Sequence, residues 1–522
     1  MLVYIQRCKC FSMIVIFVSM IWFPHSSGAD INPLDVVISD AAPYHVYPPS
    51  RKFQVSVQIN SKIDAAVSYL WKDFRGQPLT QPAQLTQGQP HTIFSPSDQI
   101  GYYELVFKPV SSNHALPNRE PGEERGYGFA IMSPALLSER AADLTSRFGV
   151  VHADFNDPYL PPWAKTMTWN TTSAQWWNHE INKRRQAGIV ELPIITRSEW
   201  GSDDSIPISS MQIHRLKIRV KSYFGASPSP VYWEAGIEEN HKKRYREPYY
   251  WENLDKKLQV VREAADAINP DIKLIYQIAG LKQTAVENFA KSRASRWIDI
   301  LSIHPYAWPD FPSPETWHDQ YLRQARQQLK THGLTTPVWY TEVGVTHQGN
   351  VTGGFFGYPK KNKTVTGLTH YQAAIYLIKL HVMALYAGIE KIFWYNYRDR
   401  KPERDYAENH FGLRDYSGYP KPVYVAYRHL YQLLAGKTVA KRRHLSENIY
   451  AYEFYDDKTR VLAFWSYPSG SAKTSVRLAS LIPGYTQRHP LKITDAMGQI
   501  VPFSGDSITV RGEPLFMTTT KP

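Results

Sequence analysis

Apolar residues recur with a period of two at both ends of the chain and gather into longer blocks in its middle. Leu34–Ile38, Phe53–Val57, Ala66–Leu70 and Tyr102–Phe107 are short runs separated by turn-forming residues. Within the second, Phe53, Val55 and Val57 alternate with Gln54 and Ser56, the pattern of a half-buried strand, and Asp73-Phe-Arg-Gly76 has the composition of a hairpin turn. An N-terminal β-sandwich of the immunoglobulin-like type is expected over 30–112, with a polar linker over 113–125.

From Gly126 the texture becomes strand, helix, strand, helix. Tyr127–Ile131 is the expected first strand. Ser133-Pro134 then supplies a cap and a first-turn proline, and Leu137, Ala141, Leu144 and Phe148 form a helical stripe stopped by Gly149. Further strands are expected at Val150–Phe155, Ile189–Thr196, Val231–Glu238, Leu274–Ala279, Ile298–His304, Val338–Glu342 and Ile392–Tyr397. Thr369-x-x-Gln372 forms a capping box for a helix running to Gly388, and another helix is expected from Pro422 to Ala435. Eight such units over 126–436 predict an α/β fold, a (β/α)8 TIM barrel. A doubly wound sheet would announce a glycine-rich phosphate turn, and neither GxGxxG nor a P-loop is present. After Gly436 the period of two returns in Tyr450–Phe454, Val461–Trp465 and Thr474–Leu478, so 437–522 is expected to be a C-terminal β-sheet or sandwich.

The first 29 residues read differently. Arg7 and Lys9 precede an apolar run, Met13–Phe23, and small residues Ser27-Gly-Ala29 follow. This is the pattern of a secretory signal peptide, with a retained anchor as the alternative, and the run is short for a membrane span. A secreted or periplasmic protein with no membrane span in its mature chain is expected. Cys8 and Cys10 both fall in that leader, which excludes disulfides and thiol chemistry from the mature part.

The formal charge of +13 favours anionic partners. Aromatic residues make up 13% of the chain, and such rings suit sugar faces as well as bases. No recognisable nucleic-acid module accompanies them, so no nucleic-acid partner is expected. The oligomeric state is not legible.

A TIM barrel places its chemistry at the C-terminal ends of its strands. Those ends deliver His152 and Asp154, then Arg197, Glu199 and Trp200, then Glu238, His304 and Tyr306, Glu342, and finally Trp394 and Asn396. Pro337-Val-Trp-Tyr-Thr-Glu342-Val-Gly344 is an apolar strand ending on a carboxylate, a costly placement that suits catalysis better than stability. Retaining glycosidases need two carboxylates about 5 Å apart. Glu238 and Glu342 close two strands three units apart, which brings them face to face across a barrel mouth. Strand parity sets Glu238, rather than Glu239, on the face of Glu234 and Gly236. No HExxH or other metal spacing occurs, so neither metal nor cofactor is expected. Basic residues at 241–246 and at Arg398, Arg400, Lys401 and Arg404 follow two of these strands. They are either a solvated surface or a means of selecting an anionic glycan.

Tyr232-Trp-Glu-Ala-Gly-Ile-Glu238 resembles the fourth-strand motif of clan A glycoside hydrolases, nearest to family 39. Pro337–Gly344 resembles the clan's nucleophile strand, His304 and Tyr306 its sixth-strand pattern, and Trp394 its sugar-floor tryptophan. Asp415–Pro422 is similar to the segment these enzymes carry before the last helix. The resemblance implies an O-glycosyl hydrolase of the retaining type, with Glu342 as nucleophile, Glu238 as acid/base and Tyr306 bonded to the nucleophile. It further implies substrate contacts from His152, Trp200, His304, Tyr306, Trp394 and Asn396. Two positions depart from it. Ile237 stands where the clan has asparagine, and His152 where it has an arginine after the second strand. Alongside the hydrolase of an extracellular polysaccharide, a non-catalytic glycan-binding barrel and a transglycosylase therefore remain open.

Overall fold

The computed structural model describes residues 36–520 apart from 41, 50–51, 61–65, 110–124, 134–143, 168–173, 196–202, 227–228, 239, 241–244, 308–309, 348–349, 353–363, 404–405, 447, 469–473, 482–490 and 504. The leader, most of the expected linker and the start of the first expected helix lie outside these residues.

Eight parallel strands close into a barrel: β1 (Phe148–Val151), β2 (Trp163–Met167), β3 (Val190–Ile195), β4 (Tyr232–Ala235), β5 (Lys273–Ala279), β6 (Ile300–His304), β7 (Val338–Val343) and β8 (Ile392–Trp394), with β8 pairing back to β1. Helices α1 (Ala174–Gln186), α2 (Ser210–Phe224), α3 (Tyr250–Ile268), α4 (Gln283–Lys291), α5 (His318–Thr331), α6 (His370–Tyr386) and α7 (Pro422–Leu434) follow β2 to β8 in turn. The capping box at Thr369 and Gln372 is formed, each side chain accepting the other's backbone N–H. This is the (β/α)8 fold, carried between two β domains.

The eight units are not those expected. Arg125–Ile131 is not a barrel strand. It pairs antiparallel with Gly101–Pro109 in a five-stranded sheet of the N-terminal sandwich. Its continuous apolar run has a physical cause: Tyr127, Phe129 and Ile131 enter the sandwich core, while Ala130 packs into the barrel's core. Burial on both faces gives the composition of a central parallel strand. The barrel instead begins at β1 and takes its second strand from Trp163–Met167, which follows Pro161-Pro162 without an intervening helix among the described residues.

The sandwich pairs this sheet with a three-stranded one, Val36–Ser39, Gln54–Ile59 and Pro90–Phe94, over a core including Val55, Val57, Trp71 and Phe107. At the other end a five-stranded sheet from Thr438 to Thr520 and a two-stranded one share a separate core around Leu462, Phe464 and Met517. Arg75 of the N-terminal domain grips Glu513 of the C-terminal domain, Nη2 to Oε1 at 2.7 Å. Trp465 donates to Glu315 of the barrel at 2.7 Å.

Inside the barrel, side chains stack in layers set by strand parity. The floor is aromatic: Trp163, Tyr232, Trp339 and Phe393 meet at centroid distances of 5.1–6.1 Å. Two residues further along each strand come Lys165, Glu234 and Thr341, and these are polar. The mouth lies above them.

Candidate active site

Thr341 faces the barrel interior, where its hydroxyl lies 2.5 Å from Ser302 Oγ. Regular alternation would then point Glu342 outward. The β7–β8 register shifts between Tyr340 and Val343, and this bulge lets Glu342 turn inward as well. Gly344 completes the turn: a Cβ there would come within 2.1 Å of the Tyr395 carbonyl oxygen, so only glycine lets β7 and β8 run so close. On the opposite side β4 ends at Ala235. Gly236 at φ 83° and Glu238 at φ 44° turn the chain back over the barrel, placing the Glu238 carboxylate above its centre. The Glu238 N–H donates to Gln277 Oε1 at 3.2 Å, and Asn240 clamps the Ala279 backbone from both sides.

His304, fully buried at the end of β6, joins the two carboxylates. Its Nδ1 lies 2.9 Å from Glu238 Oε1 and 3.7 Å from Glu342 Oε2, and its Nε2 meets Thr341 Oγ1 at 3.0 Å. One atom each from Glu238, His304 and Glu342 fall within 4.8 Å of one another. That approach of one carboxylate oxygen to another is close to the roughly 5 Å spacing of retaining glycosidases.

Such a trio could in principle hold a cation. Here Lys165 already supplies the positive charge, its Nζ 2.9 Å from Glu342 Oε1 and 3.1 Å from Glu234 Oε2. Both ring nitrogens of His304 are also committed. The donor set fits proton and glycosyl chemistry better than metal binding.

Burial pushes the Glu342 carboxyl up, but Lys165, His304 and His152 outweigh it and bring its pKa down to about 2. Burial alone would discharge Lys165, yet its two carboxylate neighbours raise its pKa. Glu234, sealed beneath, has its pKa raised by burial against the opposing pull of Lys165 and His304. Tyr306 donates to Glu342 Oε2 at 3.2 Å, and burial beside that carboxylate keeps the phenol protonated. Glu342 is therefore an anion held at both oxygens.

The other expected site residues divide. His152 is at the mouth in a left-handed conformation, φ 57°, its ring edge-on to Tyr395 at 6.3 Å; the protein crowded around it lowers its pKa. It follows β1, not the second strand, because β2 lies later in the chain. The cation that β2 brings to the nucleophile is Lys165. Trp394 does not floor the site. It is fully buried on the barrel's outer face against His381 of α6, 6.0 Å between ring centroids, and the next residue inward along the strand, Tyr395, occupies the mouth. His304 likewise offers no surface to a sugar and acts between the carboxylates. Asn396 is buried, its backbone tying β8 to Phe411 and Leu413, and its side-chain oxygen has no partner. Trp200, with Arg197, Glu199 and Glu239, lies outside the described residues. Asp154 accepts from Tyr44 at 3.4 Å.

The sequence does not single out Lys165, Tyr395, Gln277 or Glu408 as site residues, whereas Arg400 stands among the basic residues it places after the eighth strand. Arg400 Nη1 lies 2.7 Å from Glu408 Oε2 and its other nitrogen donates to Tyr395 Oη, so an exposed guanidinium stands at the rim. A lysine inside an apolar stretch, Trp163-Ala-Lys-Thr-Met167, was the available signal for β2.

No family model and no curated protein matches the sequence. Solved structures do. A family 39 glycoside hydrolase from the gut symbiont Bacteroides cellulosilyticus aligns with a TM-score of 0.63 over 91% of this chain and 98% of its own, at 18% identity. The two chains share a fold, a (β/α)8 barrel with β domains on its flanks. A β-glucuronidase from Bacteroides uniformis (TM-score 0.39, 10% identity, 94% of this chain and 57% of that one) matches more loosely. So does one from Ruminococcus gnavus (0.35, 12%, 76% and 67%). No helix among the described residues is long and apolar enough to cross a membrane.

Proposed function

We propose that the protein is an exported retaining glycoside hydrolase that cleaves O-glycosidic bonds of an acidic polysaccharide. The observation that carries this is the pair Glu238 and Glu342, brought within 4.8 Å across the mouth with one carboxylate held ionised. Glu342 attacks the anomeric carbon as the bond from that carbon to the leaving oxygen breaks, and Glu238 gives its proton to that oxygen. The resulting glycosyl ester is opened by water, which passes its proton to Glu238. Lys165 and Tyr306 hold the attacking carboxylate, and His304 sets the orientation of the acid/base.

The acidic substrate is supported by the chain's charge of +13; Arg400 adds an exposed guanidinium at the rim, although Glu408 already pairs with it. Ile237, half-buried beside Glu238, offers no polar group to a sugar hydroxyl. This side of the site therefore accepts substrates that do not depend on such a contact, and a sugar-binding barrel without turnover is the competing reading. A reducing-end assay of purified protein against acidic and neutral polysaccharides separates the two. Release of reducing ends from an acidic polymer, abolished by Glu238→Gln, is the expected outcome; tight binding without release from any polymer would favour the competing one.

A further inference from the structure

A cavity of about 410 Å³ lies where the three domains meet, apart from the carboxylate pair. Its size is within the ~300–1,000 Å³ of small-molecule sites. Phe311, from the loop after β6, and Tyr371 and Tyr376, from α6, line it with aromatic rings. Arg75 and Arg511 enter from the flanking domains, and Lys379 comes from α6. Two of these cations are neutralised in place: Arg75 by Glu513, and Lys379 by Glu315 at 2.8 Å. Arg511 is exposed and, among the described residues, pairs with no carboxylate.

Aromatic rings around a single unneutralised guanidinium fit a ring-shaped ligand that is apolar on its faces and carries one acidic group at its edge. The cavity also borders the mouth. Phe311 meets Phe411 edge-on at 6.2 Å, and Phe411 meets Tyr306 at 6.1 Å and Tyr395 at 5.8 Å. Phe311 adopts φ 44°, a costly conformation for a bulky residue, which the local structure sustains at this shared wall.

We propose that this cavity is a second saccharide site, which holds an acidic sugar unit of the polymer at a distance from the scissile bond. This rests on the reading of the protein as a hydrolase of acidic glycans. Its contribution is to binding: it lowers KM for long chains and leaves short substrates unaffected.

The test uses the full chain. Tetrasaccharides containing glucuronate, galacturonate or iduronate, and a neutral cellotetraose, are titrated by calorimetry into Glu342→Gln protein, alone and combined with Ile375→Trp, which fills the cavity, or Arg511→Ala, an exposed change that leaves the fold alone. Two sites per chain for an acidic tetrasaccharide, falling to one in either double variant, is the expected result. In the presence of Glu342, the two cavity substitutions should raise KM for polymer about tenfold with kcat on a short chromogenic glycoside unchanged. A single site that both substitutions leave intact, or no binding of any acidic tetrasaccharide, overturns the proposal. Failure of the hydrolase reading shows separately: no turnover of any glycoside with Glu342 present, while a site sensitive to Ile375→Trp still binds acidic tetrasaccharide.

Discussion

Two of the places where the barrel buries charge treat it differently. Asp157 and Arg414 are sealed together, Oδ2 to Nη2 at 3.0 Å, and Asp157 also accepts from Tyr397 at 3.1 Å and Tyr424 at 2.9 Å. The remaining Arg414 donors reach the carbonyls of Tyr44 and Gly418 at 2.8 and 2.9 Å. One charge meets one charge and the surrounding groups are bonded. At the mouth, among the described residues, three carboxylates (Glu234, Glu238 and Glu342) gather around one lysine and one histidine, and Gln277 Nε2 has no partner. A matched pair anchors structure: it holds the segment before α7 against β1 and β8. An unmatched set keeps one carboxylate ionised and leaves a charge deficit that a reacting sugar, positive at its anomeric carbon in the transition state, would fill.

The contrast can be broken at either cluster. Glu342→Gln should reduce hydrolysis by at least about 10³-fold and should also lower the urea midpoint at neutral pH, since buried Lys165 then keeps only Glu234 as a charged partner. Arg414→Ala should affect stability alone. Leaving Asp157 buried and unpaired costs roughly 3–5 kcal/mol in urea unfolding, and the folded fraction should retain its activity. Lys165→Met is intermediate. Without the ammonium the Glu342 pKa rises, so the acidic limb of the kcat/KM profile should move to higher pH; an unmoved limb would show that Lys165 is structural only. Stability carries the same sign. Glu342 has its folded pKa depressed from 4.5 to about 2, so its contribution is fully present above 4.5 and lost as pH falls through about 2. The smallest effect is expected from Arg400→Ala: KM for an acidic polymer up about tenfold at low salt, and no change for a neutral one.

The same contrast explains what could be read from the sequence. The barrel was legible because helices and strands differ in period, and Glu238 and Glu342 were legible because a carboxylate ending an apolar strand is unusual. The third to eighth strands fell where expected. β2 did not, since its central lysine is tolerated only by Glu234 and Glu342, the latter 177 residues away. Arg125–Ile131 misled for the opposite reason: its second apolar face serves a domain contact that local periodicity cannot distinguish from a barrel's. Trp394 was misplaced because the sequence shows that a tryptophan lies on β8 but not which way that strand faces after the β7 bulge.

The proposed reaction turns on one carboxylate oxygen of Glu342. Incubating the protein with an activated 2-deoxy-2-fluoro glycoside of a sugar it hydrolyses, then mapping the modified peptide by mass spectrometry, tests it directly. The expected result is a single glycosyl adduct on Glu342, accumulating with loss of activity and released on transfer to water. Turnover of the parent substrate with no adduct, or an adduct on Glu238 instead, would contradict it.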